Sequence, residues 1–503
     1  MSKINYKFYD KSKYDFKISI FKNEDVIVDK NAFDELDNLL KLSETIEKIK
    51  VKKDSFFDDE NASISEVVLT PDFHKGSGIP IGTVLLTKGF IVPQAVGNDV
   101  NCGMRFYTTN LTEDKIINNF TKLEKRLRHI FFEGGRDIPM CKSQREAIFR
   151  EGLIGLQETS KQSNNKGIWK YYDKNIQEKE LYNVNSLGSI KTDKIFGLED
   201  FIGNDNFSYD NQIGSIGGGN HFVEVQKVSE IFDSQTSYAF GLKKEQIVIM
   251  LHTGSVSIGH LTGSYFKELM KKIYPNFLQH PENGIYLIPD SEKYKEAWDL
   301  FWVSLSNSAN FAFANRLFLG LMLKKALIEE FGETELNLLY DASHNLVWEQ
   351  NIDNQKNFLH RKGACPARGI EEMKGTKFEY YGEPVIIPGS MGASSYIMAG
   401  LGNRASLYSA SHGAGRLLSR GEALKCSDEE FEAFINKFKI ITPLDPKDQM
   451  IKNRSDILNK WKEDLKKEAP FAYKNITPVI QTHVDNNMAK PIARLEPLFT
   501  IKG

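Results

Sequence analysis

Ten histidines occur in the chain, and six lie in short stretches crowded with Gly, Ser, Asn or Asp. These are PDFHKGSGIPIG (His74), SIGGGNHFVEV (His221), VIMLHTGS (His252), YDASHNLVWE (His344), HRKGACPAR (His360) and SASHGAGRLLSR (His412). Gly and Asn mark places where the backbone turns sharply or must approach a ligand closely. His252 follows the apolar run QIVIML, so it falls where a buried strand gives way to a loop. His221 lies between a glycine run and the alternating FVEV, and His344 follows the strand-like LNLLYDAS. Three imidazoles at strand ends form a plausible metal set, because neutral imidazole is the commonest ligand for divalent transition ions. AVGNDVNCGMRF adds Asp99 and Cys102 in a Gly-flanked turn after the strand-like GFIVPQAV, and a thiolate can bridge two cations. Together Asp99, Cys102, His221, His252 and His344 are enough for two ions sharing one sulfur, and ligand softness alone favours zinc. The competing reading is three strand-end histidines satisfied by backbone groups beside an inert buried cysteine.

Phosphate chemistry is suggested elsewhere. No Walker A loop is present, and no strand is followed by G-x-G-x-x-G. PGSMGASSY (388–396) and SHGAGRLLSR (411–420) are small, donor-rich loops whose backbone N–H groups could hold phosphates or a base edge, although the first would serve equally as a tight turn. In the second loop His412 is flanked by residues too small to cover it. An exposed imidazole beside Arg416 and Arg420 suits a nucleophile or acid/base next to phosphate.

The elements that must position these residues are less sharply written. The chain has 503 residues with 65 Lys+Arg against 67 Asp+Glu, which excludes a basic tail-driven nucleic-acid binder and a polyacidic disordered chain. At 41% hydrophobic and 26% charged residues it has material for a large core. Length alone suggests about three domains, yet there is neither a repeat nor a low-complexity linker. Four cysteines without a C-x-x-C pair point to a reducing compartment. With no apolar leader or membrane-length apolar run, a soluble, cytoplasmic protein is expected. Residues 4–22 alternate as two short strands. Residues 31–49 predict one helix capped by Asn31, with Phe33, Leu36, Leu39, Leu40 and Ile46 on one face. Residues 294–331 predict a long buried helix whose Asn and Ser residues meet something polar. Residues 428–468 predict solvated helix interrupted near Pro443 and Pro446, and 161–209 reads as a polar excursion. The class is α/β or α+β, with the topology open.

Taken in order, DVNCG, GGGNHFVEV, HTGS, SHN, HRKGA, PGSMGASSY, HGAGRLLSR and a terminal IKG resemble the motifs of the RtcB family of RNA ligases, over about Pro71 to Gly503. The resemblance implies an RtcB-like fold with central β-sheets surrounded by helices, spanning 61–503, with 1–60 as an N-terminal strand and helix extension packed on it. It implies a GTP-dependent enzyme with two Mn2+ ions, joining RNA 3'-phosphate or 2',3'-cyclic phosphate ends to 5'-hydroxyl ends through a guanylyl-histidine, in tRNA splicing or RNA repair. By that resemblance His412 takes GMP, Asp99, Cys102 and His221 hold one manganese, and Cys102, His252 and His344 hold the other. Guanine nucleotide contacts fall on Asn220, His221, Phe222, Val223, Glu224, His344, Asn345, Pro388, Gly389, Ser390, Met391, Ser395, His412, Gly413, Ala414, Gly415, Tyr473 and Lys502. RNA phosphate falls to Arg416 and Arg420, and an archease-like activator is a candidate partner of an expected monomer with no membrane association.

The family commonly continues HTGS with an arginine and a glycine, where this chain has Val256 and Ser257, and Cys365 and Pro366 also depart from its pattern. One site drawing on Asp99 through Lys502 replaces the three-domain expectation with one large domain. Near-zero net charge means that RNA must be gripped by a local basic patch, with Arg316, Arg361, Arg416 and Arg420 as candidates. The alternatives are a dinuclear metal phosphodiesterase or phosphatase acting on RNA ends, and a catalytically silent RNA-end-binding relative.

Overall fold

Two β-sheets and one long helix position the site. The computed structural model describes residues 14–52, 55–163, 165–203, 208–209, 212–275, 277–278, 281, 283–352 and 354–503. One sheet runs in the order Lys17–Ile20, Ser63–His74, Ile81–Lys88, Gln355–Lys362, Asn345–Ile352. The other runs Leu336–Ser343, Gly103–Thr112, Gln246–Thr253, Phe222–Ile231, Ala489–Ile501, Ser395–Gly400, Pro384–Ile387, with Lys439–Ile441 added in parallel beside Ala489–Ile501. The class is therefore mixed α/β with central sheets and surrounding helices.

Register in the second sheet brings distant motifs to one edge. Gly103 lies opposite both Thr253 and Ser343, and His252 lies opposite both Met104 and Phe222. Strand ends at 102–103, 221–222, 252–253 and 343–344 consequently meet, although the residues are far apart in sequence.

The helix Lys295–Phe331 is apolar on all sides, with Phe311, Phe313 and Phe318 fully buried, as expected for a helix wrapped by the body. Its buried amides meet loop backbone. Asn307 Nδ2 donates to the carbonyls of Phe149 and Lys194, and Asn310 Nδ2 to those of Phe149 and Ile190. Asn315 exchanges two hydrogen bonds with Ser215. Each amide satisfies backbone groups that would otherwise be costly to bury, and so fixes segments between 149 and 215 against the helix.

Several local expectations change. The predicted 31–49 helix is two helices, Lys30–Leu40 and Leu42–Lys52, capped by Asp29 rather than Asn31. Asp29 Oδ1 accepts from the Asn31 amide because it stands one step before the first turn. Of the alternating 4–22 segment, Lys17–Ile20 is a strand and residues 4–13 lie outside the described residues. In GFIVPQAV only Phe90–Ile91 is strand, and Pro93, which lacks a donor for a ladder, opens a 3-10 turn at Pro93–Ala95. The 428–468 tract comprises helices Asp428–Lys437 and Ser455–Lys466 around Lys439–Ile441. Within 161–209, short helical turns return to the body: Trp169 is buried, and Asn183 Nδ2 donates to the Leu338 carbonyl. Among the described residues no helix is long and apolar enough to cross a membrane.

Candidate active site and metal centre

Five side chains from four strand ends converge. Cys102 Sγ lies 3.4 Å from His221 Nε2 and 3.3 Å from His252 Nε2. His252 Nε2 lies 3.3 Å from His344 Nε2, and His221 Nε2 lies 2.9 Å from Asp99 Oδ2. Two triads result, Cys102/His252/His344 and Asp99/Cys102/His221, each with ligand atoms within 4.8 Å of one another, and Cys102 belongs to both. Burial, reinforced by neighbouring imidazoles, pushes His252 and His344 far below the ordinary histidine range, so both are neutral. His252 Nδ1 must donate to the Asn220 carbonyl, 3.2 Å away, which leaves a lone pair on Nε2 facing the sulfur and His344. Burial and then Asp99 push the Cys102 thiol up, while Asp99, despite burial, is held at about 2 by His221. A thiol too buried to ionise alone, a buried carboxylate oxygen facing an imidazole and facing lone pairs are what a cation pair would complete.

The backbone approaches these ligands closely. A Cβ on Gly254, in HTGS, would stand 2.6 Å from Asp99 Oδ1 and 2.7 Å from Cys102 Cα. Gly254→Ala should therefore displace both ligands, and cobalt titration followed by thiolate-to-metal absorption should show at least about tenfold weaker binding with the fold retained. Val256, where the family pattern has arginine, adopts φ 51°, unusual for a β-branched residue, and its N–H donates to Asp99 Oδ1 at 3.0 Å. This chain thus uses the backbone at position 256 to orient a ligand, whatever the side chain.

Arg316 is a brace rather than an RNA contact, which corrects the expectation drawn from net charge. It is wholly buried, pairs with Asp341 at 2.9 Å, and donates from Nη1 to the carbonyls of Asn101 (2.6 Å) and Thr253 (3.1 Å). One guanidinium thereby ties the residues beside Cys102 and His252 to the strand leading into His344. Arg361 is also buried, and lies away from this cluster in another cavity. Arg316 is covered because its helix runs through the interior, and Arg361 because its strand is buried there, which a charge count cannot reveal.

His412 is less open than its small neighbours suggested: its side chain is 13% exposed and is held by Asp72, with Nδ1 to Oδ2 at 2.7 Å. Burial alone would raise the Asp72 carboxyl, but attraction to His412 and hydrogen bonds from His412 and Thr70 hold it well below the usual carboxylate range. An ionised Asp72 requires the proton on Nδ1 and leaves the Nε2 lone pair available. The centroid of the imidazole ring is 4.9 Å from that of His344, so the ring stands beside the five-residue cluster. Gly415 makes the loop possible, with φ +77° and a Cβ position only 2.2 Å from the Asp72 carbonyl. Asp72→Asn keeps the shape but allows the amide to donate to Nδ1 and stabilise the wrong tautomer. Single-turnover nucleotide transfer should fall by about 100-fold or more with metal binding unchanged.

These groups line a cavity of about 760 Å³ together with Asn220, Phe222, Glu224, Asn345, Pro388–Met391, Gly413, Ala414, Tyr473 and Lys502. That is ample for a nucleotide. Val223 and Ser395 do not line it. The Val223 side chain packs in the core, and Ser395 Oγ accepts from Gly389 N–H at 3.1 Å, shaping the PGSMGASSY turn from behind. Glu224 is pushed up to about 8 by burial, and Lys502 down to about 8, with its Nζ donating to the Gly219 carbonyl at 2.7 Å. Arg416 directs its donors to Glu468, Lys467 and Leu418 and stacks on Tyr473, whereas Arg420 meets Glu468 through Nε and is 58% exposed. Asp72 and Glu468 escaped sequence reading. Asp72 stood in the PDFHK stretch selected for His74, but nothing in the sequence indicates that it meets His412, 340 residues later.

Comparison with known proteins follows the same boundaries as the motifs. Residues 61–503 match the family model described as tRNA-splicing ligase RtcB. The chain is 30% identical over 468 residues to a tRNA-splicing ligase RtcB of Pyrobaculum aerophilum, covering 87% of each chain. It is 31% identical over 467 residues to the protein of the same description from Nanoarchaeum equitans, covering 88% of each. An RNA-splicing ligase RtcB of Mycobacterium tuberculosis is 28% identical over 86% of this chain and 96% of its own length.

Proposed function

The chain belongs to the RtcB family, and from that premise we propose that it is a GTP- and manganese-dependent RNA ligase that joins 3'-phosphate or 2',3'-cyclic phosphate ends to 5'-hydroxyl ends through a guanylyl-histidine at His412. The observation that carries this reading is the His412 imidazole, fixed at Nδ1 by buried Asp72, with its ring beside a five-ligand cluster. When bound by Asp99, Cys102, His221, His252 and His344, two divalent ions would supply Lewis acidity that offsets charge on phosphoryl oxygens. Softness would make zinc a tight competitor at these ligands.

The residues then divide the work. His412 Nε2 forms a bond to the α-phosphorus as the bond to pyrophosphate breaks, and Asp72 stabilises the positive charge arising on the ring. Water first opens a cyclic end by attack at phosphorus, breaking the bond to O2' and leaving a 2'-hydroxyl and a 3'-phosphate, whose oxygen then displaces His412 from the GMP phosphorus. Attack by the 5'-hydroxyl then expels GMP and seals the strand. Glu224 and Lys502, buried and both shifted to about 8, offer hydrogen-bonding groups for the base, and Pro388–Met391 line the phosphate side. A second cavity of about 1100 Å³ shares Asp99, Asn220, His221 and Arg420 with the first and adds His260, Lys460 and Lys467. We assign the RNA end to it, with Arg420, Lys460 and Lys467 in place of the arginine absent at position 256. Residues 61–503 are read as the catalytic domain and 1–60 as an addition whose Lys17–Ile20 strand joins the first sheet.

The test is a ligation assay on 3'-phosphate and 5'-hydroxyl RNA with GTP and manganese omitted in turn. Joined product should require both. Opening of cyclic phosphate without joining, indifferent to GTP, would favour the phosphodiesterase reading instead.

A further inference from the structure

A third cavity, of about 550 Å³, shares no lining residue with the catalytic one. Strand alternation separates them. On Gln355–Lys362, Lys362 lines the catalytic cavity while the adjacent Arg361 lines this one. Arg361 is 4% exposed, yet among the described residues it forms no ion pair: the nearby carboxylate of Glu383 attracts it from a distance but is bonded to Arg368. Its Nε donates to Ser409 Oγ at 2.9 Å and its Nη2 reaches the Leu407 and Tyr408 carbonyls at 3.5 and 3.4 Å, leaving Nη1 without a hydrogen bond among the described residues. A buried cation satisfied only by neutral acceptors normally has a charged partner. The other two arginines here have theirs: Arg368 pairs with Glu383 at 2.9 Å and Arg404 with Glu66 at 2.6 Å. Glu372, at the rim, is exposed and accepts from the Gly369 N–H.

The walls suit a base as well as an anion. Trp348 lies against the Arg361 guanidinium, 4.9 Å from ring centroid to Cζ, and is half-buried, as is Tyr408 across the cavity. Asn351 and Gln350 add amide donors and acceptors. The backbone is held in unusual shape on both sides, with Ser186 and Leu187 at φ 53° and Leu407 and Tyr408 at φ 51° and 53°. Consecutive non-glycine residues in this region are costly and gather at ligand clamps.

We propose that this cavity is a second nucleotide site, in which a phosphate pairs with Arg361 and the attached base stacks on Trp348 or Tyr408. A free nucleoside monophosphate and one unit of a single-stranded RNA present the same chemistry. The site does not depend on the catalytic reading. The probes are UMP and fluorescein-labelled decauridylate with hydroxyl at both ends, titrated by calorimetry and anisotropy against the full chain, Trp348→Ala and Arg361→Lys. A 4-thiouridine decamer is cross-linked in parallel.

Either variant should weaken binding about tenfold, since stacking and forked phosphate pairing are each of that size, and cross-links should fall within 346–352 or 404–411. Binding of UMP as well as decauridylate identifies a free-nucleotide site, and decauridylate alone identifies an RNA-strand site. Should one variant fail to fold, the other carries the test. Unchanged affinity for both probes in a folded variant, with no cross-link in either segment, overturns the proposal.

Discussion

Replacing His412 by alanine is expected to abolish covalent nucleotide transfer and to lower ligation by about 10⁴-fold or more, the range seen when a nucleophile that acts as part of a unit is removed. The expectation rests on the lack of a substitute. His74 stacks parallel to His412 at 6.2 Å, but its Nδ1 faces the Asp72 carbonyl, and burial, with its neighbours His412 and Lys474, lowers it to about 3. It has neither the Asp72 carboxylate as a partner nor a ring beside His344.

The same substitution carries a stability signature. Asp72 has its folded-state value depressed, so in the wild type it contributes stability that is present above the ordinary carboxylate value near 3.9 and is lost as pH falls through the lower folded value. Without His412 the buried carboxylate loses its main compensation. The variant should lose about 1–3 kcal/mol at neutral pH, and that deficit should shrink as pH falls and the Asp72 carboxyl takes up a proton. His412→Ala with Asp72→Asn should recover the stability without the activity, which denaturant titration at pH 7 and pH 4 would show. Equal loss of activity with a deficit that does not change with pH would mean that the two residues are not coupled as described.

Cys102→Ala should be nearly as damaging, because its sulfur is common to both triads. Removing a ligand from one site leaves the other intact; removing the shared one depletes both. Affinity for both ions should fall by more than about 100-fold, beyond what even an outer partner carries, and ligation should drop to background. His221→Ala, by contrast, should spare the ion at Cys102, His252 and His344. Manganese stoichiometry by spin resonance separates the cases: two ions in the wild type, one in His221→Ala, none in Cys102→Ala. Two ions held by Cys102→Ala at wild-type affinity would rule out a shared sulfur.

What could be read from the chain and what could not follows from the range of the interactions. The five clustered residues were legible as candidates because each sits where an apolar run meets a Gly-rich loop or turn, which a window of about ten residues reveals. The long helix was legible because its apolar residues exceed one face. The break near Lys41 was not, since the apolar period continues across it. Asp72 was missed because its partner is 340 residues away and only sheet register joins them. Arg316 and Arg361 were assigned to the surface because charge is normally outside. Their burial depends on Asp341 in one case and on the carbonyls of Leu407 and Tyr408 in the other, neither of which a composition can show.

The central claim is that a histidine held by Asp72 beside the metal cluster carries the nucleotide. Incubating the protein with manganese and GTP labelled at the α-phosphate tests it directly. The account predicts an acid-labile, alkali-stable adduct on a single peptide containing His412, absent with manganese omitted and chased into joined product by RNA with 3'-phosphate and 5'-hydroxyl ends. Labelling that persists in His412→Ala, or joining by the wild type with no adduct at any time point, would contradict it.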